Sequence, residues 1–148
     1  MYKNILITTD GSDLANKGVR HGLALAEKLG AKVSVLTVVE PLAPEAIQAA
    51  VASGLEDPIV RYDLQVDATM KKRYAAVEQE ASQYGITVDM QHEVDEFPAE
   101  AIARFAETNG CDLIVMASHG RRGIQKVLLG SQTAEVLVKT TIPVLVIR

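Results

Sequence analysis

The sequence predicts an α/β fold, an open sheet of five parallel strands with helices on both faces. Three observations predict it. Short β-branched runs alternate with longer stretches of helical period along the chain. The runs are apolar throughout instead of alternating with polar residues, as strands covered on both faces are. Strands separated by helix-length crossovers join in parallel, with right-handed connections. The chain's 148 residues match the size of one domain, about 100–200 residues, so a single domain over residues 1–148 is expected. A chain of this length buries about 70% of the surface its unfolded form exposes, enough for a core without staples.

Residues 4–9 (NILITT) read as the first strand. Ser12 can cap the helix that follows. That helix carries Leu14, Ala15, Val19, Leu23, Ala26 and Leu29 on its apolar face and stops at Gly30. Lys32–Val39 (KVSVLTVV) is the second strand. Residues 40–58 are rich in Pro, Ala and Gly, with one weak helical signal near 45–52, and read as a long connection of the mobile or functional kind. Residues 59–84 form one long helix stopped by Gly85, and residues 86–94 a third strand. Pro98 suits a first helical position, opening a short helix over 99–108 that ends at Asn109-Gly110. Residues 112–117 (DLIVMA) are the fourth strand. A glycine-rich loop, a helix over 131–140 and a last strand over 143–148 (PVLVIR) complete a Rossmann-like, doubly wound pattern.

Composition narrows the function classes. Hydrophobic residues at 48% and charged residues at 23% are ordinary globular values. A net charge of −4 supplies no basic field for a polyanion, which argues against nucleic acid as a partner. No apolar run approaches the roughly 18–20 residues that cross a bilayer, so no membrane is expected. The apolar run at the N-terminus stops at Asp10, too soon for a signal peptide. A lone cysteine, Cys111, excludes an internal disulfide framework and fits a reducing compartment; it is expected to pack at the entry to the fourth strand. The expected location is the cytoplasm. His21, His92 and His119 are scattered and form no zinc motif, and His21 and His92 read as solvated surface residues. Lys71-Lys72-Arg73 reads as the wet face of the long helix. Ser118-His119 lacks a nucleophile elbow, and neither G-x4-G-K-[ST] nor G-x-G-x-x-G is present. No catalytic residue is assigned.

In an open parallel sheet, ligands bind beyond the carboxyl ends of the strands, near the point where strand order reverses. That directs attention to Thr9 and Asp10 after the first strand, Val38 and Val39 at the end of the second, and the stretch after the fourth. There, Gly120 and Gly123 flank Arg121 and Arg122, and Gly130-Ser131 opens the last helix. Successive backbone N–H groups and a helix start make an anion cradle, and guanidinium groups suit phosphate. The Ser131 and Thr133 hydroxyls can donate to phosphate oxygens. The same residues serve equally as a plain turn, with Ser131 as cap and the arginines in water. Asp10 can bond a ribose hydroxyl or hold magnesium, or merely shape a turn with Gly11. Val38 and Val39 offer an apolar wall and backbone groups for a base.

The residues resemble the universal stress protein family over essentially the whole chain. The resemblance rests on KNILITTDGS at the start, GAKVSVLTV over 30–38, CDLIVMASHGRRG over 111–123, LLGSQTAEVL over 128–137 and the closing IPVLVIR. ATP-binding members carry glycine, two residues, glycine, nine residues, then glycine and Ser or Thr. Here Gly120, nine residues and Gly130-Ser131 keep that spacing, while Ala117 stands at the first glycine.

The resemblance implies an adenine nucleotide, ATP with possible Mg. It puts Asp10 at the ribose or metal, Val38 at the adenine, and Met116 and Ala117 along the nucleoside. Gly120, Gly130, Ser131, Gln132 and Thr133 fall around the triphosphate, with His119, Arg121 and Arg122 as further phosphate neighbours. The segment 40–58 would lie over the site. The last strand would sit at a sheet edge and pair across a two-fold axis as a homodimer. The implied function is a stress-response regulator with an unknown protein client. Two alternatives stay open, a nucleotide-free dimeric interaction module and a slow ATPase.

Overall fold

A computed structural model describes residues 1–120 and 129–148. Strands β1 (Asn4–Thr8), β2 (Lys32–Val39), β3 (Val88–Val94), β4 (Leu113–Ala117) and β5 (Val144–Ile147) form one sheet in the order β3-β2-β1-β4-β5. All four pairings are parallel, with Ile5 level with both Val33 and Leu113. The helices are α1 (Asp13–Leu29), α2 (Pro44–Ala52), α3 (Pro58–Ser82), α4 (Pro98–Thr108) and α5 (Ser131–Lys139). The chain builds β1, β2 and β3 towards one edge, then crosses back to add β4 and β5 on the other side. The reversal therefore lies between β1 and β4.

The strands' side-chain alternation divides the core in two. Ile5, Ile7, Val33, Val35, Leu113 and Val115 meet Val19 and Leu23 of α1 and Val77 and Ala81 of α3. Leu6, Leu36, Ile114 and Met116 meet Ile102 and Phe105 of α4 and Val136 of α5. Ile5, Leu6 and Ile7 are fully buried, each contributing about 1.5–3 kcal/mol. This two-sided burial is why the strand sequences lack polar alternation.

Glycine lets α1 lie close to the sheet. A Cβ on Gly22 would come within 2.5 Å of Ile7 Cδ1. Ser12 caps this helix as expected, its Oγ accepting from the Ala15 N–H at 3.2 Å, and Gly30 ends it at φ 62°.

Several boundaries and environments differ from the sequence reading. The 40–58 segment contains the nine-residue helix α2. None of its residues is buried, so no apolar face marked it in the sequence. His92 is half-buried, with Nδ1 2.8 Å from the Tyr74 hydroxyl, instead of solvated. Arg73 is also half-buried, while Lys71 and Lys72 are exposed. Cys111 packs at the entry to β4 beside Phe105 and Ala106. Burial, with the Asp112 carboxylate, pushes its thiol up to about 11, so it stays protonated and unreactive near neutral pH. Among the described residues no helix is long and apolar enough to cross a membrane.

Candidate functional site

The carboxyl end of β1 is fixed by its neighbour. The Thr9 N–H donates to the Leu36 carbonyl at 3.0 Å, and the buried Thr37 hydroxyl donates to the Thr9 carbonyl at 2.8 Å. The chain then turns. The Gly11 N–H donates to Thr9 Oγ1 at 3.1 Å, and the Ser12 N–H donates to Asp10 Oδ1 at 2.9 Å. These bonds aim the other carboxylate oxygen across the crevice. A Cβ built on Gly120 would stand 2.6 Å from Asp10 Oδ2, so the loops after β1 and β4 meet there, and a side chain at 120 would require the Asp10 carboxylate to shift.

The end of β4 is tied twice. The Ser118 N–H donates to the Ile147 carbonyl at 2.7 Å, and the Ser118 carbonyl accepts from the Gly130 N–H at 2.7 Å. A Cβ on Gly130 would lie 2.7 Å from that carbonyl oxygen and 3.0 Å from His119 Cα. Glycine is thus required at 130 for α5 to start against the strand end. Thr133, fully buried, donates its hydroxyl to the Ala117 carbonyl at 2.9 Å and the Ser118 carbonyl at 3.2 Å. In this arrangement its proton ties the helix to the strand instead of facing a ligand. Ser118 Oγ lies 3.1 Å from His119 Nδ1 and orients that ring.

Ser131 is the first residue of α5, and Gly130 is its N-cap. Gly130 offers no side chain to cap the helix, and the first turn holds no acidic residue. The N–H groups of Ser131, Gln132 and Thr133 have no acceptor within the helix, and the helix dipole adds partial positive charge at the same end.

These elements surround one cavity of about 970 Å³. Its lining brings together Thr9, Asp10, Val38, Met116, Ala117, His119, Gly120, Ser131, Gln132 and Thr133. Gly130 is not itself part of the lining but sets the entry of α5. Arg121 and Arg122 lie outside the described residues. Ala117 continues β4 level with Ile147, and among the described residues Asp57 is the only non-glycine with positive φ. The backbone at 117 therefore makes no demand for glycine. By strand alternation its methyl shares the face of Val115, toward α1.

The far wall is made by Pro41, Leu42 and Ala46 of the segment expected over the site, together with Tyr62, Pro98 and Ile102, which sequence reasoning did not single out. The Tyr62 hydroxyl donates to the Glu40 carbonyl, fastening α3 to the start of the 40–58 segment. No local pattern marks Tyr62, because its position depends on how a later helix crosses an earlier loop. The described residues contain no cluster of three or more His, Cys, Asp or Glu that could hold a metal. A divalent cation here would take most of its ligands from a bound phosphate and water, with Asp10 as the protein carboxylate at hand.

The cradle fits a phosphorylated ligand. A Cβ at Gly120 would enter it beside the Asp10 carboxylate, and the backbone N–H groups at the start of α5, whose first turn holds no acid, supply donors.

A family model described as the universal stress protein family matches residues 1–148. Universal stress protein MJ0531 of Methanocaldococcus jannaschii is 30% identical over 148 residues, covering 100% of this chain and 83% of that protein. The solved structure of MJ0577, a universal stress protein of the same organism, is 30% identical with a TM-score of 0.81, covering 99% of this chain and 96% of that one. More distant solved relatives share the fold. A universal stress protein in complex with cAMP is 21% identical with a TM-score of 0.70, covering 99% of this chain and 97% of that one. One from Archaeoglobus fulgidus in complex with dAMP is 20% identical with a TM-score of 0.65, covering 99% and 98%.

Proposed function

The chain belongs to the universal stress protein family, and on that premise we propose that it binds ATP, with Mg, in the crevice at the carboxyl ends of β1, β2 and β4. The observation that carries the reading is the open start of α5. Three backbone N–H groups with no helical acceptor border a cavity of about 970 Å³ that also contains Asp10, Val38 and Gly120. Adenine lies against Val38 and the apolar wall of Leu42 and Ile102, the ribose faces Asp10, and the phosphates rest on Gly120 and residues 130–133. Complexes of related proteins with cAMP and dAMP support an adenine nucleotide. No cavity residue is assigned as a general base, so the role is regulatory, with bound nucleotide selecting the surface a partner meets.

The protein acts as a homodimer through β5. That strand is at the sheet edge and its own Leu145 is exposed, so pairing would satisfy backbone groups and cover apolar area together. Light scattering on the purified chain checks the mass, and Leu145→Asp is expected to yield monomer.

The direct test of binding is to denature purified protein and identify the released nucleotide by mass spectrometry. Ligand-free protein is then melted with and without Mg-ATP. Ligand at 100 times its dissociation constant stabilises by about 2.7 kcal/mol, a rise of roughly 5–10 °C for a chain of this size. No released nucleotide and no shift at millimolar ATP would defeat the proposal.

A further inference from the structure

A second cavity, of about 370 Å³, lies between α1 and α3 and shares no lining residue with the first. Its floor is the buried pair Val19 and Val77. Its rim carries Asn16 and Arg20 from α1, and Thr69, Lys72, Arg73 and Glu80 from α3. The spacing explains why they converge. Asn16 and Arg20 are four apart on one helix, while Thr69, Lys72, Arg73 and Ala76 recur at intervals of three and four on the other, so each set forms one face. Ala76 is the small residue that leaves the gap open.

The charge here opposes that of the chain. Net charge is −4 overall, yet three cations and one carboxylate line this cavity. Like charges gathered in a concave site repel one another, and an anion relieves that repulsion while gaining from all three. The donor set is also specific in kind. Two guanidinium forks, an ammonium and an amide are groups that hold tetrahedral oxyanions, while the Thr69 hydroxyl donates to the Gln65 carbonyl at 2.8 Å. Arg73 is further positioned, since a Cβ on Gly11 would meet its Nε at 2.8 Å. The guanidinium therefore rests on the backbone of the β1–α1 turn instead of extending into water. We propose that this cavity is a second anion site, for the phosphate or diphosphate group of a small molecule.

The probe is inorganic pyrophosphate, titrated into the full chain carrying Ser131→Asp, which closes the α5 cradle to anions and makes the result independent of the ATP reading. The expected result is one site by calorimetry, with amide NMR shifts gathered at residues 16–20 and 69–73. Arg20→Gln and Lys72→Gln should each weaken binding about tenfold. Both side chains are exposed, so unchanged melting without ligand verifies the fold. Glu80→Gln removes the opposing carboxylate and should tighten binding about threefold. Shifts gathered at 130–133, an affinity indifferent to Arg20→Gln and Lys72→Gln, or no binding of millimolar pyrophosphate at low salt would each overturn the proposal.

Discussion

Helices α1 and α5 both start beyond the carboxyl end of a strand, on the border of the same crevice, and their first turns are completed by different means. At α1 the chain supplies everything. Ser12 Oγ accepts from the Ala15 N–H, Asp13 puts a carboxylate in the first turn, and Asp10 accepts from the Ser12 N–H. At α5 the N-cap is a glycine without a side chain, and the first turn has no acid. A capped helix start is electrostatically neutralised, whereas an uncapped one retains its attraction for an anion. On the proposed reading that difference decides which helix start meets the phosphates, although both helices present N-termini to the same space.

Four substitutions break or sharpen that contrast. Gly130→Val has the largest expected effect, because a Cβ would sit 2.7 Å from the Ser118 carbonyl oxygen. Melting should show a loss of about 1–3 kcal/mol and no further stabilisation by Mg-ATP. A full ATP-induced shift in this variant would mean that phosphate does not depend on the α5 start.

Ser131→Asp supplies α5 with the acid that α1 already has. Stability should rise by about 0.3–1 kcal/mol, while ATP affinity by calorimetry falls about a hundredfold, or roughly 2.7 kcal/mol. Unchanged affinity would refute the cradle. Ser12→Ala makes the opposite exchange at α1. It should cost about 1 kcal/mol, or roughly 2–4 °C in melting temperature, with ATP affinity held within about threefold, under 1 kcal/mol. A collapse of affinity there would mean that the two starts share the ligand.

Ala117→Gly is the mildest. Glycine in a strand should lower stability by about 0.5–1 kcal/mol, and affinity should again move by less than about threefold. A large gain in affinity would show that the alanine methyl obstructs the nucleotide.

The fold was legible because burial on both faces leaves a strong local mark. The run NILIT becomes β1 with three consecutive residues buried, and Gly30 stops α1 where its helical period ends. Helix α2 was harder to read because it buries nothing, and an exposed helix has no apolar stripe to show. The glycine spacing of the loop after β4 and the helix start at Gly130-Ser131 were also legible, being local chain chemistry. The bonds of Thr133 to the Ala117 and Ser118 carbonyls join residues 16 and 15 positions apart, a separation that no local pattern reports. Tyr62 at the larger cavity and Arg73 on Gly11 depend on the packing of α3 across distant segments. Periodicity reveals which face of a helix is apolar, not which loop its polar residues will reach.

The central strand has a consequence for how the chain folds. β1 pairs through Ile5 with Val33 on one side and Leu113 on the other. Its first edge can be satisfied once β2 has been made, and its second only when β4 follows three helices and another strand later. The first strand made is thus among the last completed, and NILIT must remain with one side unpaired while α2, α3, β3 and α4 emerge. All-parallel pairing makes every strand contact nonlocal, so the search is slow and costly in loop-closure entropy. During that interval the half-paired strand is the segment at which nascent chains would stick to one another.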